Sequence, residues 1–177
     1  GVAVMFSKFI IMKRLLFFVY GVVCYLFGFS TLMYLIAFLS DFIVPKTIDG
    51  IPEEPVAFAI VKNLVLVLLF GIQHSVMARP WFKEKWTKII PEPLERSTYV
   101  LFTFFALGFL MWQWAPLGGE VWSIGMESSL YWVMYGFFGL GWAILFTASF
   151  LINHFDLFGL RQVYLYLVNK AYSPLKF

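Results

Sequence analysis

The chain is short of the residues from which most soluble active sites are built. It has a single cysteine, so neither an internal disulfide nor a cysteine-cluster metal site is available to it. That residue, Cys24, stands inside an apolar run and reads as a small packing residue rather than a nucleophile. There are only two histidines, His74 and His154, and without a supporting ligand set two histidines do not make a metal site. No Gly-rich phosphate loop, catalytic serine motif, internal repeat or low-complexity tract is present. Charged residues make up 13%, about half the fraction usual in a soluble domain. The net charge of +3 does not imply nucleic acid, because the basic residues sit beside apolar runs.

What the chain has instead is apolar length. Hydrophobic residues are 62% of it, gathered in stretches that short polar blocks separate. This predicts an all-α, polytopic integral membrane protein with four transmembrane helices and no soluble domain. The expected spans are about 15–39, 56–77, 97–114 and 129–152. Met12-Lys13-Arg14 before LLFFVYGVVCYLFG is how a bacterial membrane protein begins. Residues 1–11 therefore either precede a natural start at Met12 or simply extend the first helix. The apolar run is too long for a cleaved signal peptide. Lys62, near the start of the second span, is expected to snorkel outward. Trp112, Trp114 and Trp122 fit an aromatic belt better than a binding cage. In the fourth span, GFFGLGW sets Gly136 and Gly139 near one face, which permits close helix packing.

The connector QHSVMARPWFKEKWTKIIPEPLERSTYVL between spans two and three holds Arg79, Lys83, Lys85, Lys88 and Arg96. Within it Trp81, Phe82, Trp86, Ile89 and Ile90 share about half a helical turn, so a short interfacial helix is expected there. Pro91 stops that helix and Pro93 suits the first turn of the next. Of thirteen Lys and Arg residues, only Lys46 lies in the two outer loops and only Lys62 inside a span. Six acidic residues, Asp41, Asp49, Glu53, Glu54, Glu120 and Glu127, lie in those outer loops. Positive charge stays in the cytoplasm, so both termini and the interfacial helix are expected there, in a bacterial inner membrane.

The same end gathers the chemistry. His74 closes the second span, Arg96 opens the third, and His154, Asp156, Arg161 and Gln162 follow the fourth. The expectation is that His74, Arg96 and His154 approach one another. Blander roles exist for each. A histidine at a helix C-terminus interacts with the macrodipole, Arg96 has Glu92 one turn away, and Asp156 with Arg161 makes an ion pair that fixes a turn.

QHSVMARP, LERSTYVL, VPKTID and NHFDLFGLRQVYL together resemble the bacterial methanethiol S-methyltransferase family. More distantly they resemble the isoprenylcysteine carboxyl methyltransferases and the nuclear-envelope protein nurim. The resemblance covers Met12 to the last residue. It implies methyl transfer from S-adenosylmethionine to a small thiol, giving a thioether such as dimethyl sulfide, inside a lipid bilayer. It makes His74, His154 and Arg96 the catalytic candidates and Arg161, Gln162 and Asp156 the cofactor-binding ones. Arg96 or Arg161 would favour a thiolate or hold a carboxylate. The family's cofactor site is made mainly by a segment with an Arg-His-Pro motif and a later acidic pair, and this sequence has no Arg-His-Pro. It therefore reads as the N-terminal two-thirds of such an enzyme, inactive alone. A nurim-like protein without catalysis, and a methyltransferase for a larger lipid-linked substrate, are the alternatives.

Overall fold

Apolar runs longer than a bilayer is thick dictate helices, since no water is present inside a membrane to satisfy exposed backbone groups. The structure, a computed structural model, describes residues 1–174 and is helical throughout its regular elements. The helices are α1 Val2–Leu39, α2 Val56–Met77, α3 Pro80–Trp86, α4 Glu92–Gln113, α5 Ser129–Ile152, α6 His154–Leu157 and α7 Leu160–Leu167. α1, α2, α4 and α5 are each long and apolar enough to cross a membrane. The second and fourth spans match the expected limits.

Two limits differ. α1 is one helix of 38 residues, about 57 Å at helical rise, so residues 2–11 extend the first helix well before the expected start of the span at about 15. No residue from Val2 to Leu39 breaks it. Arg14 donates to Asn169 Oδ1 at 2.7 Å, so the turns before Arg14 reach past the bundle. α4 begins at Glu92 rather than Ser97, because Pro93 is tolerated in a first turn whose N–H groups have no helical partner anyway. The two short helices α6 and α7 were not expected.

α4 is the centre. α1 and α2 pack on it, and α7 packs on both α1 and α4. Phe38, Tyr99, Val100, Phe104, Leu107 and Met111 form the buried core. Gly28 lets α1 close on α4, since a Cβ there would lie 2.6 Å from the Phe104 ring. Gly21, seven residues earlier on the same face, gives Val163 of α7 the same room. α5 stands apart. It has no buried residue and packs mainly on α6. Its reach to α1 is the Tyr135 hydroxyl, which donates to Ser40 O at 2.7 Å, and the Phe29 and Phe146 rings, 6.4 Å apart. Nothing lies within 4 Å of a Cβ built on Gly136 or Gly139, so the expected small-residue face is unused here.

At the acidic end the loop after α1 folds down on α4. Trp114 donates to Ile48 O at 3.0 Å and packs edge-on to Phe38, while Trp112 and Trp122 point outward. Buried Asn63 of α2 both donates to Ala115 O, at 2.7 Å, and accepts from Ala115 N, at 3.0 Å. Lys62 pairs with Glu54 at 2.8 Å, as a lysine turned toward the loop would. A cavity of about 400 Å³ lies at this end, far from both histidines.

Candidate functional site

At the opposite end the last turn of α2, the first turns of α4, and α6 with α7 come together. Tyr99 lies three residues after Arg96, so the two share a face of α4. The Arg96 guanidinium lies over the Tyr99 ring, 4.9 Å from its centroid. The Tyr99 hydroxyl meets His74 Nδ1 at 3.0 Å, the His74 carbonyl oxygen at 3.3 Å and Nε2 at 3.4 Å. The ring donating Nδ1–H to the hydroxyl, and the hydroxyl donating to the carbonyl, satisfies the Nδ1 and carbonyl contacts and spends the hydroxyl proton, so Nε2 of exposed His74 keeps its lone pair although the hydroxyl oxygen lies 3.4 Å away. Phe70 stacks on that imidazole with ring centroids 5.7 Å apart.

Arg96 does not pair with Glu92. Its Nε donates to Leu157 O at 2.8 Å, a carbonyl left without a helical partner at the end of α6. Glu95 instead takes Lys83 of α3 at 3.2 Å. On α3 itself the aromatic face divides. Phe82 and Trp86 pack toward the core, whereas Trp81 stays exposed with Lys85 over its ring.

His154 is used differently. It is 2% exposed, stacked on Phe150 at 4.3 Å and tilted against Phe158 at 4.7 Å. Ser149 gives its hydroxyl proton to Phe146 O at 2.8 Å, so it accepts from His154 Nδ1–H at 3.0 Å. Nε2 then accepts from the Tyr25 hydroxyl, also at 3.0 Å. Both ring nitrogens are spent within the protein, and burial pushes this histidine below its ordinary pKa. The three catalytic candidates gather at one end of the bundle, but around two centres. His74 and Arg96 share Tyr99, while His154 faces the α1–α5 side.

The three cofactor candidates form one cluster. Asn153, with φ 146°, caps α6 through Oδ1, which accepts from Asp156 N at 3.1 Å. Asp156, 5% exposed, then accepts from Arg161 and, at 2.9 Å each, from Gln162 Nε2 and the Tyr172 hydroxyl. Burial and the adjacent Asp156 charge push the Tyr172 pKa up. Asp156 and Arg161 thus neutralise each other. Because a carboxylate only accepts, the Gln162 amide must turn its nitrogen to Asp156, which leaves Oε1 buried with no partner among the described residues. Such an acceptor costs about 1–3 kcal/mol until something donates to it. Gly159, at φ 84°, lets the α6–α7 turn touch α4, where Ser97 donates to Gly159 O at 3.2 Å.

A cleft of about 190 Å³ opens beside this cluster, lined by Lys83, Glu92, Glu95, Gln162, Tyr166, Lys170 and Tyr172 among others. Among the described residues no group of three His, Cys, Asp or Glu is placed to hold a metal ion. Sequence reasoning missed Tyr99, Tyr172, Tyr25 and Ser149. Only Tyr99 carried a local signal, its spacing of three from Arg96.

No family model matches the chain, and no solved structure matches it. Among curated proteins, the methanethiol S-methyltransferase of Crocosphaera subtropica is 45% identical over 94% of this chain and 65% of its own length. That of Mycobacterium tuberculosis is 44% identical over 94% of this chain and 68% of its own. Mouse nurim is 32% identical over 67% of this chain and 47% of its own length. The chain spans about two thirds of the length of the first two relatives.

Proposed function

The chain belongs to the methanethiol S-methyltransferase family, and on that premise we propose that it forms the membrane core of an enzyme methylating a small thiol. Methanethiol is the acceptor, dimethyl sulfide the product and S-adenosylmethionine the donor. The similarity to the Mycobacterium tuberculosis enzyme carries this reading. The lysine and arginine asymmetry adds that the reacting face is cytoplasmic, with both termini inside a bacterial inner membrane.

A thiol must lose its proton to become a competent nucleophile. With the Tyr99 proton given to the His74 carbonyl oxygen, His74 Nε2 keeps its lone pair at this face and takes the thiol proton as general base. The Tyr99 hydroxyl holds Nδ1 in the protonated tautomer that leaves Nε2 basic. Arg96, fixed between the Tyr99 ring and Leu157 O, sets a positive charge beside the pair that favours the thiolate. His154, with no spare nitrogen, acts by holding α5 and α6 to α1.

S-Adenosylmethionine supplies, when bound, a sulfonium methyl already activated toward a thiolate. Of Asp156, Arg161 and Gln162, Gln162 alone keeps a buried polar atom without a partner among the described residues, and it lines the cleft. At about 190 Å³ that cleft is below the roughly 300–1,000 Å³ of drug-sized ligand pockets, so it suits one end of the donor. Asp156 and Arg161 fix the wall on which Gln162 stands.

The test is headspace measurement of dimethyl sulfide from methanethiol in membranes of cells expressing the gene that encodes this chain. Formation above an empty-vector control supports the proposal. Methylation of a prenylated thiol or carboxylate in its place would move the assignment to a lipid-linked substrate. The similarity to nurim favours a second reading, a membrane protein without catalysis, which predicts methylation of neither.

A further inference from the structure

The cleft beside α7, assigned to one end of the donor, has an order of charge that selects which chemistry enters it. Its most enclosed lining residues are acceptors. Glu95 is 6% exposed and Gln162 is 7% exposed, with the Gln162 Oε1 unpartnered among the described residues. Its cations, Lys83 and Lys170, are exposed at the rim. Glu92 adds a second carboxylate from the first turn of α4, and the Tyr166 and Tyr172 rings complete the wall. Glu95 is balanced by Lys83 at 3.2 Å, yet the Lys83 side chain is 51% exposed and can swing away on its flexible stem. A buried carboxylate held by one half-exposed lysine, lining the same cleft as an amide whose oxygen has no donor among the described residues, is a place made to receive N–H groups.

We propose that this cleft binds a small zwitterion, its ammonium inward on Glu95 and Gln162 Oε1 and its acid group outward on Lys83 and Lys170. The volume, about 190 Å³, suits an amino-acid-sized group. That chemistry has two sources at a membrane face. One is the α-amino-acid end of the methyl donor, which rests on the methyl-transfer reading. The other is the ethanolamine phosphate headgroup of a phospholipid, which does not.

Two arms separate them, each on the purified protein in lipid nanodiscs. In the first, calorimetry compares S-adenosylhomocysteine with methylthioadenosine, which keeps the nucleoside thioether and lacks the amino-acid end. The donor source requires the first to bind about ten-fold tighter or better, and Glu95→Gln to abolish the difference. In the second, native mass spectrometry follows phosphatidylethanolamine retained against phosphatidylglycerol. The lipid source requires a selective adduct in the wild type that Glu95→Gln loses. Lys170→Ala, at an exposed position, should weaken whichever ligand binds without lowering the melting temperature, which guards against a Glu95 variant that merely misfolds. If neither ligand depends on Glu95 or Lys170, the cleft is not a zwitterion site. Dimethyl sulfide formation alongside that result would sink this proposal and leave the methyl-transfer reading standing. Glu95-dependent lipid binding without methyl transfer would do the reverse.

Discussion

Replacing each histidine by glutamine separates a proton acceptor from a holding residue, because the two rings are used so differently. His154 has both nitrogens in hydrogen bonds of 3.0 Å and its ring 4.3 Å from that of Phe150. Glutamine can remake one polar contact but not the stacking. The loss is one hydrogen bond, about 1 kcal/mol, and a ring pair worth about 0.5–1.5 kcal/mol. A loss of about 2 kcal/mol lowers the melting temperature by roughly 4–8 °C in a chain of this size. Turnover per folded molecule should fall less than about ten-fold, since no reacting atom is touched. His74→Gln should behave in the opposite way. It forfeits the hydrogen bond to Tyr99, about 1 kcal/mol, while removing a general base costs about 10²–10⁴ in rate. The assay is tryptophan fluorescence melting in detergent, with headspace dimethyl sulfide at matched folded protein. If His154→Gln abolishes turnover with an unchanged melt, or His74→Gln leaves turnover intact, the division of roles is refuted.

Burial holds His154 below its ordinary pKa, so between the folded and unfolded values the unfolded chain binds a proton that the folded chain refuses. Stability should therefore be full above about pH 6.5, fall as pH drops through that value, and level off below the folded pKa, a slope that melting curves of His154→Gln should lack. Tyr99→Phe keeps the ring under Arg96 but removes the hydroxyl from His74, so kcat should drop about ten-fold and shift its pH profile, while a flat profile would argue against the pairing. Asn63→Leu strands the buried N–H and C=O of Ala115, and chemical denaturation should register about 1–3 kcal/mol for each group. Gly159→Ala puts a Cβ 2.6 Å from Ser97 N at φ 84°, so a loss of about 1–3 kcal/mol and faster proteolysis between α6 and α7 are expected.

Much of the frame could be read before any coordinates. The second and fourth spans fall on Val56–Met77 and Ser129–Ile152 as hydropathy placed them, because span length depends on local composition. The start of α4 was misplaced by the acidic, proline-containing turn, which reads as loop yet is acceptable at a helix N-terminus. α6 and α7 escaped notice because four and eight residues carry too little periodicity, and what ends α6 is the left-handed Gly159 pressed on Ser97. Of the candidate site, the residue types and the end of the bundle were legible, but their partners were not. Arg96 has Glu92 one turn away and goes to Leu157 O, 61 residues on.

The sequence by itself determined that the chain crosses a membrane four times, which end is basic, and which few polar side chains stand at that end. Hydropathy and charge act residue by residue, so they need no knowledge of neighbours. Only the tertiary structure decided that one histidine is open and the other closed. Tyr25, 129 residues before His154, reaches it because Gly21 and Gly28 let α1 settle against α7 and α4. A hydrogen bond forms between whichever faces meet, and that choice belongs to the packing of the helices rather than to any one of them.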